Sequence, residues 1–507
     1  MKQTLWPRTS WFYASLILIW ISSGYCAPAD PDVGQMLMVG FNETKVTPDL
    51  LSHLKHIKPG AIILFRRNIQ SPEQLTKLIR TLKHELDPVL ETPLLFAIDQ
   101  EGGSVYRIPT NPRLPSPAAL GKSNDPKLVE EYGFVIGKLL RQNGISMNLA
   151  PVLDLDLATE KNFIGSRSFG TDPSLVAQMG YLFSKGLAAA GVIPTGKHFP
   201  GLGKVINDPH QSTPISALDW KSDWNHELLP FRAFSRLMPS ALMLAHVIYP
   251  KLDHQRLPAS ISPYIIKKVL RESFQYQGLI VTDDLLMKGI TDYLDPSDAA
   301  IASVNSGADL VMISWSKHDQ LSVYDGIKRA LQTATLSRSD LNERIARIRK
   351  IKQLIGLSEL PQQPKVSWES HEIRELNQKL LQKTLSIDLL QHRKINISPK
   401  EIWLLNLNQS WHPSLARRFP AAHIQAIKSL DAFQKLHPEQ RSQHLLLVGV
   451  AQRETLTTIK QLSLNQRSNV ILILTQDLPL ERPETYRSVF APLWSFEGIP
   501  QRISELL

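Results

Sequence analysis

At 507 residues the chain exceeds the roughly 100–200 residues of one ordinary domain. Its 43% hydrophobic and 21% charged content is globular and excludes a mainly disordered or fibrous protein. A single cysteine, Cys26, excludes an intrachain disulfide framework and a multi-cysteine metal site; the net charge of +10 comes without a Lys/Arg run interleaved with aromatics, so no nucleic-acid partner is expected.

In chain order, residues 1–26 read as an export signal. Lys2 and Arg8 form a basic start, Trp11 to Ile21 an apolar core, and Ser22, Ser23 and Gly24 supply the small residues a signal peptidase requires. A retained membrane anchor is the alternative, although the apolar run is short for a bilayer span. Cys26, directly behind the segment, also admits a lipoprotein acylated on its thiol, against which the bulky Tyr25 stands. On each of these readings the mature chain works outside the cytoplasm, periplasmic or extracellular. Loss of Lys2 and Arg8 takes its formal charge from +10 to +8, which suits an anionic cell wall or membrane face.

From Pro31 to about Leu360, short apolar runs alternate with amphipathic segments at the spacing of βα units. Eight strands are expected: Met36–Phe41, Ala61–Phe65, Leu94–Asp99, Ser146–Asp154, Pro194–Phe199, Leu242–Val247, Leu279–Asp284 and Asp309–Ser314. Their interiors are apolar throughout, as strands buried on both faces must be. Eight such strands predict a (β/α)8 TIM barrel over residues 32–356, with a doubly wound sheet as the alternative. Asp99, Asp154, Lys197, His198, His246, Asp283 and Asp284 fall at or near the C-terminal ends of different strands. In a barrel those ends converge on the rim that carries the site, so the pattern points to an enzyme. A linker at 357–367, containing LPQQP, separates this part from a smaller α/β sandwich domain at 368–507. There a helix is expected at Trp368–Leu389, with strands at Ile402–Asn406, Leu445–Val450 and Val470–Leu474. From Lys365 onward 18 basic residues face 13 acidic ones, so part of the positive charge resides there.

Three segments carry the candidate chemistry. In Gly196–Pro214, GKHFPGLGKVINDPHQSTP, a strand delivers Lys197 and His198 to the rim and an irregular loop follows. Asp208 and His210 lie two apart in that loop; a carboxylate holding one imidazole nitrogen raises the basicity of the other, as general acid/base work requires. Polar loop surface is the plainer reading of such a pair taken alone, and no second close pair completes a metal site. In Gly278–Ile290, GLIVTDDLLMKGI, two carboxylates end a buried strand, where unpartnered charge is costly. Asp283 and Asp284 should diverge, one toward the rim centre and the other into a supporting role or a helix cap. In Phe96–Arg107, FAIDQEGGSVYR, Asp99 can accept two hydrogen bonds from vicinal hydroxyls, and Arg107, with Arg167 of IGSRSFG, could add donors or serve as ordinary ion-pair residues. No P-loop or dinucleotide fingerprint occurs, and no cofactor is expected.

In this order FAIDQEGGSVYR, NLAPVLDLD, IGSRSFG, KHFPG followed by DPH, LAHVIYPKLD, PASIS and VTDDLLM resemble the bacterial β-N-acetylglucosaminidases (β-N-acetylhexosaminidases) of glycoside hydrolase family 3, over roughly residues 32–355. The resemblance implies a retaining exo-glycosidase that removes terminal β-GlcNAc from glycans or muropeptides. It implies Asp283 as the nucleophile and His210, tuned by Asp208, as the acid/base. It further implies Asp99, Arg107, Arg167, Lys197 and His198 as the residues that hold the sugar hydroxyls and the N-acetyl group. Family 3 β-glucosidases lack the Asp-X-His dyad, which favours N-acetylhexosaminides. A β-glucosidase, a GlcNAc phosphorylase and an inactive glycan-binding lipoprotein are the alternatives. The chain departs from the family pattern at Leu202 and Lys204, in FPGLGK, and at Ser104 after EGG, without touching a carried-over residue.

Overall fold

The computed structural model describes residues 33–90, 92–157, 164–205, 213–357 and 367–384, together with five strands between 401 and 490. The expected signal segment, most of the expected linker, and Asp208 and His210 lie outside the described residues.

Eight parallel strands close into a barrel: β1 Leu37–Val39, β2 Ala61–Leu64, β3 Leu95–Ile98, β4 Met147–Asn148, β5 Ile193–Phe199, β6 Ala241–Leu244, β7 Leu279–Asp284 and β8 Leu310–Ile313. Each pairs with the next in sequence, and β8 returns to β1 with Leu37 opposite Val311 and Val39 opposite Ile313. With helices between the strands this is the (β/α)8 barrel, and closure removes the open edges that a doubly wound sheet would keep. Every strand residue is buried except the last two of β7, Asp283 and Asp284, which are half-buried. The strand expected over Ser146–Asp154 is regular only at Met147–Asn148. Pro151 has no N–H to give to a ladder, although the segment stays bonded to β5: the Ala150 and Pro151 carbonyls accept from Thr195 and Lys197, and Val152 bridges Lys197.

Six helices around the barrel begin at a Thr, Ser or Asp followed by proline: Thr47, Ser71, Ser116, Asp125, Asp172 and Asp295. Each of these side chains accepts a hydrogen bond from an N–H of the first turn, and the proline that follows needs no acceptor for a donor it lacks. Caps of this kind are worth about 1 kcal/mol apiece. Behind the barrel, the helix His371–Thr384 inserts Ile373, Leu376 and Leu380 into the same apolar cluster as the strands and outer helices. Tyr132 donates to Asn377 (2.6 Å) and Trp368 Nε1 to Asn143 (3.2 Å), so the polar groups buried by that packing are paired.

The remaining strands, β9 Glu401–Leu405, β10 His423–Ile427, β11 His444–Val450, β12 Val470–Leu474 and β13 Arg487–Phe490, form an all-parallel sheet in the order β10-β9-β11-β12-β13. The three expected from sequence are its centre, where apolar runs are needed; the two unforeseen ones, HIQAI and RSVF, are its edges, which tolerate polar residues. No helix among the described residues is long and apolar enough to cross a membrane.

Candidate active site

At the C-terminal rim the ends of β3 and β5 are joined by a buried web of charge. Lys197 of β5 donates to Asp99 (2.8 Å) and pairs with Glu101 (2.7 Å). Arg167 grips Glu101 with both Nε (2.9 Å) and Nη2 (2.8 Å), and Arg107 reaches the other oxygen of Asp99 at 3.3 Å. Burial alone would raise both carboxyls, but the cations overcome it: Lys197 and Arg107 hold Asp99 below the usual carboxylate range, and Lys197 and Arg167 hold Glu101 far below it. Lys197, whose ammonium burial alone would discourage, is pushed up by the same two carboxylates. Three cations against two anions leave the web with one unit of positive charge. Asp99 is thus kept ionised, an acceptor for hydroxyl groups, with a little of its side chain still open.

The turn that carries this web depends on Gly102 and Gly103, whose φ values of +97° and +58° lie in the left-handed region. A Cβ on Gly102 would stand 2.1 Å from the Pro115 carbonyl oxygen, so the backbones can approach only because it is glycine.

Below the web, buried Asp154 organises the start of the loop after β5. It accepts from His198 Nδ1 (2.7 Å), from the His198 backbone N–H (3.1 Å) and from the Leu202 N–H (2.8 Å). The carboxylate fixes the ring through Nδ1, so Nε2 is the nitrogen left for a ligand. Two residues past β6, buried His246 donates from Nε2 to the carbonyl of Asp284 at the end of β7 (3.1 Å) and accepts the Ser260 hydroxyl at Nδ1 (2.8 Å). Burial lowers its tendency to protonate, against the pull of the nearby Asp283 charge.

Asp283 and Asp284 diverge. Asp284 turns to β8, where Oδ2 accepts the Ser314 hydroxyl and Oδ1 accepts the N–H groups of Ser314 (3.3 Å) and Leu286 (3.1 Å). Burial pushes its carboxyl up to about 6, with the Ser314 hydrogen bond opposing and the Asp283 charge reinforcing the rise. Among the described residues the Asp283 carboxylate accepts one hydrogen bond, from the Asp284 N–H at 2.8 Å on Oδ1. Of the two it is the carboxylate with oxygen lone pairs to spare for a reacting atom.

The structure therefore brings together Asp99, Arg107, Arg167, Lys197 and His198, and places Asp283 on the same rim. Asp208 and His210 lie outside the described residues. Sequence reasoning passed over Glu101, the hub of the web, and left Asp154 without a partner. The signal for Glu101 was its position two residues beyond Asp99, which returns a side chain to the same side of an extended segment.

The departure at Lys204 has a structural counterpart. Its ammonium contacts the Asp223 carboxylate and lies 3.0 Å from buried Glu227. Asp223, His226 and Glu227 bring polar atoms within 4.8 Å of one another, a spacing metal ions use, but Lys204 already supplies a cation there. Burial pushes the Glu227 carboxyl up to about 7, with Lys204 opposing and Asp223 reinforcing. The folded chain thus holds a proton that the unfolded chain releases near 4.5, and stability falls as pH rises from about 4.5 to 7. Asp284 acts in the same direction over 3.8 to about 6. Glu227→Gln is expected to remove roughly 2–3 kcal/mol of the loss in stability between pH 5 and pH 8. Denaturant melts at the two pH values check this; an unaltered pH dependence in the variant would assign the effect elsewhere.

A closed βα barrel that gathers carboxylates and buried cations at its C-terminal rim, fit to hold hydroxyl groups around a further carboxylate, is the frame of a glycoside hydrolase. Residues 29–351 match the glycosyl hydrolase family 3 N-terminal domain. The chain belongs to glycosyl hydrolase family 3. It is 33% identical over 309 residues to a β-hexosaminidase of Methylobacillus flagellatus, covering 60% of this chain and 86% of the relative. A β-hexosaminidase of Tolumonas auensis is 36% identical over 282 residues, covering 54% of this chain and 81% of the relative. Among solved structures, a family 3 β-N-acetylglucosaminidase from Paenibacillus sp. str. FPU-7 is similar with a TM-score of 0.78 at 25% identity, covering 94% of this chain and 95% of that one.

Proposed function

We propose that the protein is a retaining exo-β-N-acetylglucosaminidase that removes terminal β-GlcNAc, from peptidoglycan fragments among natural substrates. The observation that carries the reading is the placement of Asp283, at the end of β7, on the rim that holds the ionised Asp99 and its cations, in a chain similar to enzymes named β-hexosaminidase. Asp283 attacks the anomeric carbon as the glycosidic bond breaks, and His210 gives its proton to the departing oxygen. His210 then takes a proton from water, which attacks the glycosyl-Asp283 ester and releases the sugar with retained configuration. Asp208 tunes the imidazole. Asp99, Arg107, Lys197, His198 and Arg167 grip or frame the sugar. An N-terminal export signal, residues 1–26, delivers the chain outside the cytoplasm.

The test is turnover of 4-nitrophenyl β-N-acetylglucosaminide against the β-glucoside. Faster release from the first is expected, and rapid cleavage of the second with none of the first would overturn the reading. Assays on a GlcNAc-anhydro-muropeptide, with and without phosphate, are expected to yield free GlcNAc in both cases. GlcNAc 1-phosphate as the product would make the protein a phosphorylase.

A further inference from the structure

Beyond β8 the chain reads Ser314-Trp315-Ser316, and Ser316 already caps the next helix by accepting from the Asp319 N–H. A tryptophan between a barrel strand and a helix would ordinarily be packed away, yet Trp315 is 54% exposed. It is nevertheless held firmly. The Arg67 guanidinium lies 3.6 Å from its ring centre and 4.3 Å from that of Phe65, and the two rings stack at 5.9 Å and 27°. Arg67 is itself anchored, donating from Nε to the Phe41 carbonyl and from Nη2 to the Ser314 carbonyl, both at 2.9 Å.

This support is continuous with the candidate site on both sides. The Arg107 guanidinium is 5.8 Å from the Phe65 ring and pairs with Asp99. Ser314 donates to Asp284, the neighbour of Asp283. A wall therefore runs from the sugar-gripping carboxylate through Arg107, Phe65 and Arg67 to an open indole on the outer rim. The charged web is buried and suits the terminal sugar of an exo-acting enzyme, so whatever follows that sugar must leave toward solvent across the rim.

We propose that Trp315 is the platform for the second sugar of the substrate, the one released as the leaving group; this rests on the hexosaminidase reading above. A β-linked hexopyranose with equatorial substituents presents an apolar C–H face, and a fixed, half-bare aromatic ring is its complement. Because Arg67 and Phe65 pre-set the ring, stacking costs little side-chain entropy.

The experiment compares Trp315→Ala and Trp315→Phe with the wild-type protein on N,N′-diacetylchitobiose and on 2,2,2-trifluoroethyl β-N-acetylglucosaminide, whose leaving group is too small to cover an indole. Trp315→Ala is expected to lower the ratio of kcat/KM for the disaccharide over the trifluoroethyl glycoside by roughly tenfold, mainly through KM. Trp315→Phe should restore most of it. An equal loss on both substrates would make the ring a structural prop, and an unaltered ratio would remove it from binding; each overturns the proposal. A wild-type protein inert on both substrates is a different result, which would overturn the hexosaminidase reading and the platform with it.

Discussion

Asp283→Asn is expected to lower kcat on a β-N-acetylglucosaminide by roughly 10⁴-fold or more, with the melting temperature little changed. The amide keeps the shape of the carboxylate and can still accept the Asp284 N–H, the hydrogen bond the side chain accepts among the described residues. What it loses is the oxygen proposed as the nucleophile, without which no glycosyl ester would form. Asp284→Asn is expected to do the reverse. Its carboxyl oxygens accept from Ser314 and Leu286, and desolvation of the carboxyl already shifts it toward the neutral acid. The amide must present an NH2 group where two acceptor oxygens stood, at a cost of about 1–3 kcal/mol in stability. Kinetics and thermal melts of both variants check the assignment. A Asp284→Asn variant that is folded and dead, beside an active Asp283→Asn, would exchange the two roles.

His210→Ala is expected to act on a different axis, the dependence on the leaving group. A sugar or alkyl oxygen departs as a strongly basic alkoxide unless it is protonated, whereas 4-nitrophenolate departs readily on its own. Loss of the general acid should therefore cost roughly 10²- to 10⁴-fold on N,N′-diacetylchitobiose and much less on the first step with the 4-nitrophenyl glycoside. On the proposed dyad Asp208→Asn should shift in the same direction, because an uncharged residue would no longer raise the basicity of the ring. Steady-state kcat/KM for a series of glycosides with graded leaving groups tests this. A flat profile, with the same loss on every substrate, would remove His210 from the acid role.

The barrel was legible because strands buried on both faces must be apolar runs, and all eight runs proved to be strands. Its least accurate element was the fourth strand, where Pro151 withholds a ladder donor in an otherwise strand-like run. The second sheet showed its centre and hid its edges for the complementary reason, since among the described residues β10 and β13 pair on one side only and can carry His, Gln, Arg and Ser. The Thr-Pro, Ser-Pro and Asp-Pro pairs that start six helices are local signals of the same kind, readable from two adjacent residues.

For the site, single positions were legible and partnerships were not. Asp99, Lys197 and His198 stood out as polar residues at the ends of apolar strands. That Lys197 is shared by Asp99 and Glu101, and that Glu101 in turn takes two donors of Arg167, depends on the tertiary fold, which sets β5 one strand away from β3 and joins residues 66 and 98 positions apart. The same holds for Trp315, ordinary as a letter after a strand and significant only once Arg67 and Phe65 of the second strand's end are found against it. Lys204, a departure from the family pattern, gained its meaning from the acids it meets at Asp223 and Glu227.

On the proposed mechanism Asp283 forms a covalent bond with an N-acetylglucosaminyl unit. The most direct measurement is peptide mapping by mass spectrometry after incubation with a 5-fluoro-N-acetylglucosaminyl fluoride, which forms the ester readily and loses it slowly. One labelled peptide is expected, with the sugar on Asp283, and activity should recover as the label is lost. A label on Asp284, or full inactivation with no residue labelled, would contradict that mechanism.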